Sequence, residues 1–151
     1  VMRGEDSFDD VELKGYELFK ANCASCHREP LFTDGSFRNN GMGLNYLKDV
    51  GRSKITKSSA DSLRFKVPTL RNVQVSFPYM HDGSLMYLPN VLDHYTKIDT
   101  ASTIVDSLLR RRLPLTAKNK KEILYFLYTL TDSSFLRNPR FAPPHDMKYI
   151  H

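Results

Sequence analysis

Two cysteines are all that 151 residues supply, and that scarcity excludes much. A structural zinc centre draws four ligands, usually from two separated pairs. With one pair, the chain has to borrow His81 or His94, at spacings unlike the usual ones. No apolar run approaches the roughly 20 residues that cross a bilayer. Residues 1–10 are polar and acidic, without the basic start and apolar centre of an export signal, so the chain reads as a mature protein or an excised domain. Internal repeats and low-complexity tracts are missing. The formal charge is +5, with basic clusters at Arg110, Arg111, Arg112 and at Lys118, Lys120, Lys121. Aromatics interleaved for base stacking are lacking there, which argues against nucleic acid. These cations read as a solvated face or as a docking surface for an acidic partner. The length supports one domain with a modest core.

What is present centres on Cys23-Ala24-Ser25-Cys26-His27. Cys-x-x-Cys-His is the attachment signature of a c-type haem. Two thiols one turn apart can add to the two vinyl groups of a porphyrin, and the following imidazole can bind the iron. A thioredoxin-like dithiol expects a strand–helix context that these cysteines lack. Thioethers consume both cysteines, which leaves none for a disulfide. Haem is attached to this signature outside the bacterial cytoplasmic membrane, so the motif implies an exported, periplasmic protein. Two propionates offset part of the positive charge.

The pattern predicts an extended lead over 1–9, a helical domain over 10–132 and an extended tail over 133–151. A first helix runs from Asp10 to about Cys26, with Val11, Gly15, Leu18 and Phe19 near one face; Gly15 lets another helix approach closely. Residues 28–66 form a long loop region with a short turn around Leu44–Val50. A second helix spans Leu88 to about Thr96, with Pro89 in its first turn. A third covers 102–112. A last helix, capped by Thr116, runs to about Leu130 and buries Ile123, Leu124, Leu127 and Leu130. The fold class is all-α, a cytochrome c-like domain with long loops enclosing one haem.

A second axial ligand could come from Met42, Met80, His81, Met86, His94 or Tyr95. Leu88, Val91, Leu92 and Tyr95 share one helical stripe, which puts Tyr95 on the buried face and His94 about 100° further round. Tyrosine binds haem iron as a phenolate. The plainer reading is a core aromatic with its hydroxyl on a carbonyl. Both readings stand at this point.

Gly15-Tyr16-Glu17-Leu18-Phe19, Cys23-Ala24-Ser25-Cys26-His27, Leu31-Phe32-Thr33-Asp34, Phe65-Lys66-Val67-Pro68-Thr69-Leu70-Arg71-Asn72-Val73 and Pro78-Tyr79-Met80-His81-Asp82-Gly83-Ser84 follow one another in this order. Together they resemble the C-terminal haem domain of bacterial di-haem cytochrome c peroxidases and their MauG-like relatives, across nearly all of 10–132. That resemblance implies a haem c domain relaying electrons to a second, N-terminal haem where hydrogen peroxide is reduced. It implies as partners the N-terminal haem domain of the same enzyme and a small redox donor protein, and it admits a homodimer. The family's distal methionine aligns with Tyr95, a departure from the peroxidases that looks like the MauG branch. Arg71 is the position for a propionate partner, and Pro68 for a carbonyl beside His27. Ser76 and Pro78 match backbone-carbonyl ligands of an interdomain calcium. His81 reads as a structural or supporting histidine. No catalytic acid or base is expected within these residues. The alternative function is an independent monohaem electron carrier.

Overall fold

The computed structural model describes residues 7–44, 48–111 and 113–142. Helix α1 spans Asp10–Asn22. It starts where it does because Asp9 and Glu12 exchange hydrogen bonds: each backbone N–H donates to the other's carboxylate, at 3.0 and 2.8 Å, a capping box. The expected end near Cys26 is about one turn too late. From Cys23 the chain curls back, and the N–H groups of Cys26 and His27 both donate to the Cys23 carbonyl, at 3.1 and 2.9 Å. The motif is therefore a tight turn attached to the helix, not its last turn.

Two short strands, β1 (Phe37–Arg38) and β2 (Phe65–Lys66), pair antiparallel, with the short helix α2 (Ser53–Thr56) between them. The fold is mostly helical, as expected of a cytochrome c-like domain, with this small two-stranded ladder added. Helix α3 covers Leu88–Lys97 with a proline in its first turn. Helix α4 covers Ala117–Tyr128, and Thr116 and Asn119 form its capping box at 3.1 Å in both directions.

Helices α1 and α4 cross at Gly15. A Cβ placed there would lie 2.0 Å from the Glu122 carbonyl oxygen, so only glycine allows this approach. Around the crossing sits an aromatic cluster. Phe19 and Phe126 are wholly buried, with ring centres 5.0 Å apart. Phe32, Tyr16 and Phe8 surround Phe126 at 6.2, 5.2 and 5.9 Å. Ile123 and Leu127 are buried as expected, and Leu124 and Leu130 are half-buried. Phe126, outside the expected stripe, fills the centre. Val11 is exposed, because α1 projects past the crossing at its first turn; Tyr16 packs in its stead.

The helix expected over 102–112 is only a 3-10 turn at Ser107–Leu109. Asp106 caps that turn through the Leu108 N–H at 3.0 Å. Arg110 donates to the carbonyls of Thr103 and Val105, at 2.6 and 3.2 Å. Those are acceptors that a helix would give to N–H groups one turn on. Arg112 lies outside the described residues. Around 44–50, residues 45–47 are likewise outside, and their described neighbours are not helical. The tail is not extended over its described part: it holds helix α5 (Ser133–Leu136) and a 3-10 turn at Pro139–Phe141, with Phe135 stacked on Phe141 at 4.7 Å. Residues 143–151, and 1–6 of the lead, are outside the described set. No helix among the described residues is long and apolar enough to cross a membrane.

Gly15→Ala tests the crossing. It should lower stability by about 1–3 kcal/mol through overpacking, read from equilibrium denaturation; an unchanged midpoint would show that the helices separate at no cost.

Candidate haem site

A cavity of about 350 Å³ opens beside this core. Phe19, Val73, Leu88, Leu92, Ile123 and Leu127 give it an apolar surface, drawn from α1, α3, α4 and the loop before α3. Cys23, Cys26, His27, Pro68, Met80, His81 and Tyr95 also line it. Both thiols are free and half-buried. Burial and the neighbouring Cys26 push the Cys23 thiol up to about 12. Burial also raises the Cys26 thiol, with Arg38 and Ser25 partly opposing it. Thiols held protonated in this way are poor redox nucleophiles, which speaks against a dithiol centre.

His27 is oriented by its surroundings. Its Nδ1 lies 3.1 Å from the Phe32 carbonyl, and the Pro68 carbonyl also bonds the imidazole. Burial lowers its pKa against those two carbonyls, so the ring is neutral near pH 7. With Nδ1–H donating, Nε2 keeps a lone pair for a metal. Phe32 brings its carbonyl there in a left-handed conformation, φ 53°, uncommon for a bulky residue. Thr33 Oγ1 donates to the Val67 carbonyl and Thr69 Oγ1 to the Leu31 carbonyl, both at 2.6 Å. These bonds tie the two carbonyl-bearing segments together. Pro68 was expected beside His27; the Phe32 carbonyl has no signature in the sequence.

Of the distal candidates, Tyr95, Met80 and His81 line the cavity. Burial pushes the Tyr95 phenol up to about 12, with a hydrogen bond from the Asn40 side chain opposing it. Met80 sits at φ 70°, its sulfur 3.5 Å from Asn40 Nδ2. His94 and Met42 are off the wall, and His94 Nε2 lies 2.8 Å from the Asn40 carbonyl. Met86 is exposed. His81 stacks on Phe65 at 3.6 Å, and its buried Nε2 has no hydrogen-bond partner among the described residues. A cavity group with an acceptor would satisfy it.

Arg71, expected as a propionate partner, is exposed and off the wall. The cations on the wall are Arg38 and Lys66. Arg38 holds Asp34 at 2.9 Å and Asp106 at 3.1 Å. Its spacing of four residues from Asp34 was a visible signal. Ser76 and Pro78 line the cavity. Among the described residues no group of three His, Cys, Asp or Glu side chains gathers for a metal ion, so a cation there depends on backbone carbonyls. An apolar cavity bearing two thiols, a lone-pair nitrogen, an unpaired histidine N–H or lone pair and two cations fits a porphyrin in each of its chemical parts.

The chain is 37% identical over 132 residues to the methylamine utilization protein MauG of Methylorubrum extorquens, covering 84% of this chain and 36% of that protein. It is 39% identical over 92 residues to the cytochrome c peroxidase Ccp of Escherichia coli, covering 56% and 20%. The crystal structure of a MauG-like protein associated with microbial copper homeostasis superposes with a TM-score of 0.84 at 32% identity, over 95% of this chain and 50% of that one. The chain belongs with MauG and the bacterial cytochrome c peroxidases. The diheme peroxidase BthA of Burkholderia thailandensis shares the fold of this MauG-related chain, with a TM-score of 0.65 at 21% identity over 90% of this chain and 45% of that one. No protein-family model matches. This MauG relative spans about a third of the first curated protein it matches and half of the MauG-like structure.

The Asp34–Arg38 pair yields a pH test. Burial works against the Asp34 charge, but hydrogen bonds from Ser36 and Arg38 outweigh it and hold the carboxyl well below the usual carboxylate range. A depressed folded pKa stabilises above the unfolded value of about 3.9 and is lost as pH falls below it. Asp34→Asn should therefore lower stability at pH 7 and flatten its decline below about pH 4. An acid-unfolding curve parallel to wild type would rule this out.

Proposed function

We propose that this chain is the haem c domain of a di-haem peroxidase or MauG-like oxidase, relaying electrons for the reduction of hydrogen peroxide at a second haem. The observation that carries the reading is that Cys23, Cys26, His27 and Tyr95 line one apolar cavity, in a chain related to MauG and to named peroxidases. Cys23 and Cys26 would hold the haem as thioethers. His27 Nε2, its ring fixed by the Phe32 and Pro68 carbonyls, and the Tyr95 oxygen would hold its iron. Bound there, the haem supplies one-electron redox chemistry. A phenolate oxygen favours the ferric state and lowers the potential relative to a thioether, which suits a MauG-like oxidase better than a high-potential donor. Arg38 and Lys66 offer charge to the propionates. The backbone carbonyls of Ser76 and Pro78 are the positions for calcium.

The partners in this reading are an N-terminal haem domain of the same enzyme and a small redox donor protein, with a homodimer as the assembly to test. Haem c attachment makes the address periplasmic. The peroxide-reactive site belongs to the second haem, so this chain, haem-loaded, should turn over hydrogen peroxide little. Rapid turnover by the chain alone would overturn the division of labour.

The deciding experiment is the spectrum of exported protein, wild type beside Tyr95→Phe. Pigment should stay with the polypeptide after denaturation, and Cys23→Ala with Cys26→Ala should lose it. Tyr95→Phe should change the ferric spin state and raise the midpoint potential by on the order of 0.1 V. A colourless denatured chain, or a Tyr95→Phe variant matching wild type in both readouts, defeats the assignment.

A further inference from the structure

Two side chains that could have served as distal ligand, Met80 and His94, meet one asparagine, as does the backbone of a third candidate, Met42. The Met42 N–H donates to Asn40 Oδ1 at 3.3 Å. Asn40 Nδ2 lies 3.5 Å from the Met80 sulfur. The Asn40 carbonyl lies 2.8 Å from His94 Nε2. Asn40 itself lines the cavity.

Its position is fixed from both sides. The buried Asn39 accepts the Gly41 N–H on Oδ1 at 2.9 Å, and its carbonyl accepts the Asp106 N–H at 3.0 Å. Gly41 turns the chain at φ 83°, where a Cβ would lie 2.7 Å from Ile98. The peptide bearing Asn40 thus has little room to shift.

The consequences differ for each rival. A His94 Nε2 that gives its hydrogen to a carbonyl has no lone pair left there for iron. The Met80 sulfur has one of its lone pairs facing an amide N–H.

We infer that Asn40 is the positioning residue that favours Tyr95 over Met80 as the distal ligand, by holding the thioether on its amide nitrogen. The inference rests on the haem reading proposed above. It assigns Asn40 no contact with iron or substrate.

The test uses the exported, haem-loaded protein carrying Asn40→Leu, with Asn40→Asp, which keeps the size but loses the N–H donor, should the leucine variant fail to fold. The expected result is a thioether-to-iron charge-transfer band absent from wild type and a raised midpoint potential, both abolished in the double variant with Met80→Leu. Met80→Leu alone should keep the wild-type spectrum. A wild-type spectrum and potential in the Asn40 variant overturns the inference, as does an altered spectrum in Met80→Leu alone. If pigment is not covalently retained, or Tyr95→Phe matches wild type, the underlying haem reading fails. If Tyr95→Phe is altered while the Asn40 variant is not, only the role of Asn40 fails.

Discussion

The contact on which this molecule depends is the crossing of α1 over the Glu122 carbonyl at Gly15. It fixes how α1 lies on α4, and Cys23, Cys26 and His27 follow directly after α1 ends at Asn22. It also sets the depth of Ile123 and Leu127, which the cavity uses as lining. Phe19 and Phe126 lock the crossing from one side. The haem-attachment turn and the apolar surface that a porphyrin would meet are thus two ends of a single packing arrangement. Neither can move without the other.

Around that frame, polarity is concentrated where it can be used. The thiols are half-buried and protonated, and the half-buried imidazole is neutral. The cations on the cavity wall are Arg38, held by its two carboxylates, and Lys66. Desolvation of this kind costs little for groups that stay neutral. It leaves each one in the protonation state that covalent attachment or metal ligation begins from.

The attachment motif, the helix bearing it, the capped last helix and the α3 stripe were all legible in the sequence, because each rests on local spacing or on a short-range cap. Phe126 was legible but passed over: with Ile123, Leu127 and Leu130 it follows the i, i+3, i+4, i+7 spacing, whereas Leu124 lies about 100° round from Ile123 and is half-buried. The stretch over 102–112 reads as helix by local pattern, but Arg110 takes up the carbonyls a helix needs, a competition between side chain and backbone that periodicity does not register. The Phe32 carbonyl at His27 was invisible because any residue type supplies a carbonyl. Arg71 was named from the family pattern; Arg38 was not singled out, because it reaches the cavity through the β1–β2 pairing, which no hydrophobic alternation announced.

The two threonine latches have a further implication. Thr33 and Thr69 join loops far apart in the chain, and the carbonyls that orient His27 belong to those same loops. The orientation of the His27 ring is therefore set by a cross-loop tether, not by a helix. Substitutions at either hydroxyl, remote from the ring, would shift the two carbonyls and with them the imidazole.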